Sequence, residues 1–566
     1  ILAYILPECR FEPTEAGIAV LPRPMGADSG APQATQKKKR IRGTLLDAKG
    51  EPIIGANVLE KGTNNGTITD ADGRFSLSVS DGATINVSYI GYVPQSVKIG
   101  KKTDLRLVMN EDSQSLDEVV VVGYGSQKKV SVTGAISDVR TKDLKQSAAA
   151  NFSNALSGRM AGLTTMQTSG MPGADDVSIY IRGASTTNGA DPLILVDGVP
   201  RDNISILDPN EIASVSILKD ASATAVFGVR GANGVILITT RRGETGKSEL
   251  SVSAEYSMQQ FATKPDRIHS WEFAELRNQA FRNDGYSEDA LPYSQWMIDR
   301  YKSGEDPIYY PDRDVWGEFF KKWSPQTRVN VNMNGGTDKL HYFMNAAYLG
   351  QGGQFKTEDK KTLGYDPSYK MNRYNFRSNL DYQAAKNFKL SLNLATYLER
   401  MNTPNDVLYG GSLYNMIYSM VQDIWNTPPT DPGPLTQPGQ IMSDGREAPV
   451  GQVINQSGQD RNTWGDINRR GYRSATYVNL QSSLALDWGL DFITKGLSTR
   501  VMIAFDTKAN NSIQGSRTYD SYGVSVAKSP DEKSYYTEIR ANQNDAISLA
   551  RAMSSNYYLN LQWALN

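Results

Sequence analysis

Leu250-Ser251-Val252-Ser253-Ala254-Glu255-Tyr256-Ser257-Met258 alternates without a break, with Leu250, Val252, Ala254, Tyr256 and Met258 on one side and Ser251, Ser253, Glu255 and Ser257 on the other. Successive side chains of a strand point to opposite faces, so this is an extended segment with one apolar and one polar wall. The pattern recurs along the chain. Val329, Val331 and Met333 oppose Asn330, Asn332 and Asn334, and Tyr374, Phe376, Leu380 and Tyr382 oppose Asn375, Arg377, Asn379 and Asp381. Phe388, Leu390, Leu392 and Leu394 oppose Lys389, Ser391 and Asn393, and residues 480–488, 497–505 and 557–566 alternate in the same way. One such strand would suit any half-buried antiparallel sheet. Seven, several with aromatic residues near their ends, favour the wall of a transmembrane β-barrel, apolar toward lipid and polar toward a wet lumen.

Connection lengths point the same way. Those near 335–340, 384–387 and 489–496 are short and turn-like, whereas those near 261–326, 350–371, 400–473 and 509–555 are long. Outer-membrane barrels join their strands by short periplasmic turns and long outer loops, and the count by Asn566 comes to about eight strands. Residues 535–541 read as an extra strand within the last long loop. A closed barrel of about eight strands is filled by its own side chains. An open wall leaves unpaired backbone groups in lipid, at several kcal/mol each. The wall from 248 to 566 is therefore expected to be the first part of a larger barrel, incomplete at the C-terminus.

Composition bounds the remaining possibilities. The chain has 566 residues with a net charge of -1, enough for several domains and without the basic excess that a nucleic-acid partner would need. Cys9 is the single cysteine, so no intrachain disulfide framework exists. His269 and His341 are the two histidines, far apart, which argues against a His-rich metal site or a Ser-His-Asp triad. No catalytic constellation, metal site or cofactor is expected, and the protein reads as a non-enzyme. Mean hydropathy is -0.46 and no apolar run approaches the roughly 20 residues of a spanning helix, so only strands could cross a membrane. The 49 glycines and 29 tyrosines suit strands with aromatic girdles, though equally a soluble β-rich protein.

Upstream of the wall, residues 1–40 read as a linker or remnant with a basic run at 37–40 and no assigned function; Ile1–Leu6 alone is too short for a complete signal sequence. Residues 41–110 read as a small β-sandwich: Phe75, Leu77 and Val79 alternate with serines, Ile85, Val87 and Tyr89 with Asn86 and Ser88, between the turns Asp72-Gly73 and Asp81-Gly82. Asp70-Ala71-Asp72-Gly73 invites a calcium-loop reading, but Ile68 and Val79 stand where that motif needs acids, so a tight turn is expected. Leu116-Asp117-Glu118-Val119-Val120-Val121-Val122-Gly123-Tyr124-Gly125 is a strong strand former. Alone it would be a buried strand. Between two domains it can instead add to a partner's sheet edge. Residues 126–243 read as α/β, with short strands at 179–183, 193–200, 212–218 and 235–240 and short helices at 151–160 and 219–227. Gly246-Lys247-Ser248 lacks the leading glycine and the strand–loop–helix context of a phosphate loop.

Two resemblances add to this. Gly55-Ala56-Asn57-Val58-Leu59 and Asn65-Gly66-Thr67-Ile68-Thr69-Asp70-Ala71-Asp72-Gly73-Arg74-Phe75 are similar to the carboxypeptidase regulatory-like domain, which is not that enzyme's catalytic part. Ser216-Ile217-Leu218-Lys219-Asp220-Ala221-Ser222-Ala223-Thr224-Ala225-Val226-Phe227-Gly228-Val229-Arg230-Gly231-Ala232-Asn233-Gly234-Val235-Ile236-Leu237-Ile238-Thr239-Thr240 resembles the end of the plug in the SusC/RagA family of TonB-dependent transporters. Ile181-Arg182-Gly183 and Asp191-Pro192-Leu193-Ile194-Leu195-Val196-Asp197-Gly198-Val199-Pro200 resemble the plug's middle.

The resemblance implies a TonB box at 115–125, with Asp117, Glu118, Val119, Val120, Val121, Val122 and Gly123 as its core, and plug motifs at Arg182, Gly183, Asp197, Gly198, Lys219, Asp220, Arg230, Asn233 and Gly234; of these, Arg182 and the acids and glycines around Asp197-Gly198 are expected to hold the plug in the barrel, the alternative being ordinary turn and sheet chemistry. It implies a barrel closed by about 22 strands, set in the bacterial outer membrane, with residues 41–243 periplasmic or in the lumen. It further implies TonB (with ExbB/ExbD), a SusD-like surface lipoprotein and outer-membrane lipid as partners, and active import of an oligosaccharide or oligopeptide. A siderophore or cobalamin receptor would share plug and barrel, but the regulatory-like domain and the 216–240 run favour the SusC type.

Overall fold

The computed structural model of the chain describes Cys9–Thr14, Gly17–Pro22 and residues 38–566, except 48–49, 64, 90–91, 93, 101–102, 110–118, 123–124, 129–135, 141–148, 185, 187–188, 203, 407, 409 and 541–545. Cys9–Thr14 and Gly17–Pro22 form an antiparallel hairpin within the stretch expected to be a linker.

The sandwich has two sheets. Lys38–Leu46 lies between Arg74–Ser80, antiparallel, and Asp104–Val108, parallel; Gly66–Ile68, Asn57–Glu60, Thr84–Ser88 and Gln95–Lys98 form the other sheet. Phe75, Leu77 and Val79 point inward onto Ile41, Leu45, Val58, Ile85 and Val87, as their alternation requires. The first strand begins at Lys38, ahead of the expected boundary at 41, because Lys38–Arg40 continue the pairing with Ser78–Ser80. The Asp70 carboxylate accepts from the backbone N–H of Asp72 at 3.0 Å and of Arg74 at 2.8 Å, which makes 70–74 the tight turn expected. Gly73 turns there with φ +70°, and a Cβ on it would lie 2.5 Å from the Leu45 carbonyl.

The second unit is the wall and the plug. Eight wall strands run in sequence order, all antiparallel: Gly246–Gln259, Ser324–Gly336, Leu340–Gly352, Lys370–Ala385, Phe388–Pro404, Gly471–Gly489, Ser498–Ser516 and Ser548–Leu565. They make an open arc, in keeping with the count of about eight. Seven extend the segments whose alternation is evident in the sequence. The third, Leu340–Gly352, lacks a clean alternation because both its faces carry apolar residues: Leu340 and Met344 are exposed outward, while Phe343 and Leu349 are buried inward.

The outward face is apolar, with Phe376, Leu394, Leu484, Ile503 and Phe505 exposed in a band that suits lipid. The inward face differs from the wet lumen expected. Asn330, Asn345, Arg373, Arg377 and Asn379 are buried and bonded to plug residues, and Asn393 and Gln481 are buried as well.

The long connections are not structureless. They carry the helices Ser270–Asn283, Gln295–Ser303, Leu413–Asn426 and Thr463–Asn468. They also carry a three-stranded sheet of Val453–Ile454, Ser521–Ser525 and Tyr535–Arg540, the last being the extra strand expected near 535–541.

The plug is built on a five-stranded sheet in the order Ile136–Arg140, Ile212–Leu218, Val235–Thr240, Leu193–Val196, Val199–Pro200. Val235–Thr240, Val-Ile-Leu-Ile-Thr-Thr, is buried on both faces at the centre, and its run of β-branched residues is what such a strand requires. A separate hairpin pairs Leu163–Gln167 with Val177–Ile181. The core of Phe152, Leu156, Ile179, Val215, Ile217, Ile236 and Ile238 extends directly onto Ala395 and Tyr397 of the wall, so plug and wall share one apolar cluster.

Candidate functional site: the seam between plug and wall

Asp208-Pro209-Asn210-Glu211 makes a single 3-10 turn: the Asp208 carboxylate accepts from the Asn210 N–H at 2.8 Å, and Pro209 supplies the fixed φ that starts such a turn. The turn delivers Glu211 to the wall, where it is wholly buried. Arg377, reaching inward from the fourth wall strand, donates through Nε to Glu211 Oε2 at 2.9 Å and through Nη2 to the Tyr397 hydroxyl at 2.6 Å. The Tyr397 hydroxyl donates to Glu211 Oε2 at 3.1 Å, and Asn345 Nδ2 donates to Oε1 at 3.3 Å. Burial pushes the Glu211 carboxyl above its ordinary range, and Arg377 works against that. Asp197 approaches the same guanidinium at 3.9 Å.

Asp197 and Gly198 are the two central residues of a hairpin between Leu193–Val196 and Val199–Pro200. Their φ values of +50° and +83° are those of the tight turn that Asp-Gly forms most readily. The turn aims the Asp197 carboxylate at Thr240, accepting from its N–H at 3.0 Å and its hydroxyl at 2.7 Å. Asn379 of the wall donates to the Thr240 hydroxyl at 2.8 Å and to the Arg241 carbonyl at 2.7 Å. Gly198 offers its carbonyl to Gln562 at 2.9 Å.

Further contacts run along the seam. Arg373 pairs with Glu399 within the wall at 2.7 Å and donates to Asn151 Oδ1 of the plug at 2.8 Å and to the Ser205 carbonyl at 3.0 Å. Arg201 of the plug pairs with Asp506 of the wall at 3.0 Å, both largely buried. Arg242 pairs with Asp381 at 2.8 Å, and the Arg241 guanidinium stands over the Phe343 ring at 5.1 Å. These are ion pairs in a site of low water access. Removing one partner of such a pair costs about 3–5 kcal/mol, because the other charge is left buried and alone.

The other plug-motif residues act inside the plug. Arg182, with φ +60°, pairs with Asp220 at 2.7 Å, and both are partly exposed. The expected hold of Arg182 on the barrel is therefore not seen among its described bonds; its partner lies in the plug. Gly183 turns beside it with φ +90°. Lys219 lays its stem over Gly162, where a Cβ would lie 3.2 Å away. Asn233 ties the 189–191 loop by donating to the carbonyls of Gly189 at 2.9 Å and Asp191 at 3.3 Å. Gly234, with φ +88°, lets Ile181 approach so closely that a Cβ would meet it at 2.6 Å. Arg230 borders a cleft shared with Arg201, Asp202 and Lys508. Glu211, Arg377 and Tyr397 do not stand out in the plug motifs. Arg377 does stand among the inward positions of an alternating strand, and an arginine there signals a partner within the lumen.

Of the expected TonB box, Asp117, Glu118 and Gly123 lie outside the described residues. Val119–Val122 is a strand, hydrogen-bonded to Gly125–Lys128 in a two-stranded ribbon.

Asp175, in the plug hairpin, is 5% exposed and accepts from Asn151 Nδ2 at 2.6 Å. Burial pushes its carboxyl up to about 6, against the pull of Arg373 and with Asp176 and Glu399 adding to the rise. A folded-state value above the unfolded one means that the fold binds the extra proton. Stability therefore falls as pH rises through the window from about 4 to about 6 and stays lower above it. Asp175→Asn keeps the acceptor and removes the charge. It is expected to raise stability by about 2–3 kcal/mol at neutral pH and to flatten that window, read as thermal unfolding in detergent from pH 4 to pH 8.

Among the described residues, no group of three or more His, Cys, Asp or Glu side chains is placed to hold a metal ion.

Two family models match the chain: the CarboxypepD_reg-like domain over residues 41–121, and the TonB-dependent Receptor Plug Domain over residues 128–235. TonB-dependent receptor SusC of Bacteroides thetaiotaomicron is 33% identical over 362 residues, covering 61% of this chain and 34% of its own length. TonB-dependent receptor P26 of Formosa agariphila is 32% identical over 411 residues, covering 69% of this chain and 38% of its own. The chain thus spans about a third of the length of these curated relatives. Among solved structures, the RagAB peptide importer in its open-open state superposes with a TM-score of 0.55 at 20% identity, over 79% of this chain and 55% of that one. At that identity the likeness concerns the fold.

Proposed function

We propose that this chain, which belongs to the SusC/RagA family of TonB-dependent transporters, carries the plug and first wall strands of an importer that moves an oligomeric nutrient, a glycan or an oligopeptide, across the bacterial outer membrane. The observation that carries this is the seam. Glu211 and Asn151 of the plug form buried, charge-assisted bonds with Arg377 and Arg373 of the wall, and Asn379 of the wall adds a bond to the Thr240 hydroxyl. Opening a path therefore costs work. The outer membrane holds no ATP and no ion gradient of its own, so the work arrives as a pull.

The pull is exerted on residues 117–123, just ahead of the plug. A two-stranded ribbon is marginally stable in water, and among the described residues its valine strand pairs on one side, with Gly125–Lys128. TonB, driven through ExbB/ExbD by inner-membrane proton flow, adds its own sheet edge there. A SusD-like surface lipoprotein docks on the long outer loops, and outer-membrane lipid contacts the apolar outer face.

Proline removes a backbone donor and disrupts strand pairing, whereas isoleucine keeps both donor and strand propensity. Val121→Pro is expected to weaken binding of the periplasmic domain of TonB by about tenfold or more, at about 1 kcal/mol for each lost bond. Val121→Ile should bind as the parent does. Equal binding by both variants, measured calorimetrically, would count against strand addition.

A further inference from the structure

We propose that the outward face of the sandwich sheet Lys38–Leu46, Arg74–Ser80 and Asp104–Val108 binds the anionic phospholipid headgroups of a membrane leaflet. The proposal concerns the domain ahead of the plug and is independent of the cargo.

The basic run at 37–40 opens this face. The inward positions of the three strands are taken by Ile41, Leu45, Phe75, Leu77, Val79 and Leu107. The alternate positions look outward, and there Arg40, Arg42, Arg74 and Arg106 are all exposed. Register brings them together. Arg40 and Arg42 follow one another on the central strand, and the next outward residue, Thr44, stands between Arg74 on one side and Arg106 on the other. Neighbouring strands lie about 4.8 Å apart, so Arg74 and Arg106 rise about 10 Å from each other across the face. Arg40 Nε donates to the Ser76 hydroxyl at 3.0 Å, which ties that side chain across the sheet.

Opposing charge is sparse. Asp104 stands beside Arg42 in the register, and Asp72 pairs with Arg74 at 3.3 Å, both side chains 68% exposed. Like charges crowded on neighbouring strands destabilise a sheet, and this one carries them together. The other sheet does not. Of its outward positions Asn57, Asn86, Ser88, Ser96 and Lys98, Lys98 alone is charged.

An arginine fork matches the oxygens of a phosphate, and serine and threonine hydroxyls supply donors between the forks. A sheet face is broad, so it suits an array of phosphates better than one small anion. At one end Leu46 and Val108 stand side by side, Val108 45% exposed, an apolar margin fit to enter a headgroup layer. The wall sets the same chain in a membrane, so a phospholipid leaflet is an anionic surface that this domain always has within its own assembly.

Among the described residues the apolar core of the sandwich draws only on 41–109, so the fragment 38–109 holds what builds it. A single cooperative melt should confirm its fold. The fragment is floated with vesicles of phosphatidylcholine, and with vesicles in which about a third of the lipid is phosphatidylglycerol. It should bind the second and not the first, and high salt should release it. Arg42→Gln and Arg106→Gln should each weaken binding about fivefold. Lys98→Gln removes the same charge from the other sheet and should change binding little. Full-length protein in nanodiscs with photoreactive phosphatidylglycerol gives a second reading that does not depend on the fragment. Cross-links should fall on 38–46 and 104–108 and be lost when both arginines are replaced by glutamine. Deletion of 117–123 should stop uptake and leave those cross-links in place, so failure of this proposal and failure of the import reading give different results. Equal flotation with both vesicles, equal losses in Lys98→Gln and Arg42→Gln, cross-links unchanged in the double variant, or binding to peptidoglycan sacculi in place of vesicles would overturn the proposal.

Discussion

Arg377→Met is expected to loosen the plug more than any other single change in the wall, by about 3–5 kcal/mol. The substitution roughly keeps the volume of the side chain and removes its charge. Glu211, with no exposed surface, then loses its bond at 2.9 Å, and Asp197 loses the only guanidinium described beside it. Burial already pushes the Glu211 carboxyl up, and loss of Arg377 removes the main opposing influence and leaves the weaker Tyr397 bond. The acid would take up a proton in the fold that it does not hold when unfolded. The variant should therefore be weakest at high pH and recover partly as pH falls. Glu211→Leu in the Arg377→Met background should restore much of the loss, since an apolar pair of similar size often replaces a buried ion pair without cost. Passive conductance in planar bilayers and protease sensitivity of the plug read the effect: both should rise in Arg377→Met and fall back in the double variant. A double variant as leaky as the single one would mean that the seam acts through shape and not through this pair.

How far the sequence leads can be judged from particular elements. Period-two alternation is a local signal, so the seven wall segments that carry it are legible, and the remaining one, the third strand Leu340–Gly352, escapes because its inner face is apolar at Phe343 and Leu349 where it meets the plug. The loop helices were hidden for a different reason. Leu413–Asn426 and Thr463–Asn468 pack into a cluster with Met171, Phe319 and Phe355, and Gln295–Ser303 packs with Tyr310 and Trp271, so each joins residues that lie apart in sequence. The plug motifs mark turns that the backbone requires, at Asp197-Gly198 and Gly234, and those are readable as Asp-Gly and as glycine before a strand. The charges that secure the plug are not, because a salt bridge between Glu211 and Arg377 spans two domains and leaves no spacing to recognise. What the sequence does disclose is the side of the strand on which Arg377 stands. The inner face also corrects the expectation of a wet lumen. Asparagines and arginines there are buried against the plug, and their polarity serves a removable interface: each group leaves a partner when the plug moves and finds water instead.

That last point bears on mechanism. An apolar seam of the same area would hold the plug but would expose apolar surface upon opening. The polar part of the seam, which lies beside the apolar cluster shared with Ala395 and Tyr397, releases into solvent at lower cost, which suits the proposed displacement of the plug by force. On the proposed mechanism the force enters at 117–123, where Val119–Val122 is paired with Gly125–Lys128 in a two-stranded ribbon, an element of marginal stability.

Deleting 117–123 removes that handle and leaves every contact of the seam in place, because none of the seam residues lies in the deleted stretch. Cargo uptake is expected to fall to the background of a TonB-lacking strain, the largest effect foreseen for any change in this chain, while cargo binding at the cell surface stays at the parental level. The paired measurement of uptake and surface binding in the 117–123 deletion is the most direct test. Binding retained with uptake abolished is the predicted result, and uptake at the parental rate would contradict the account.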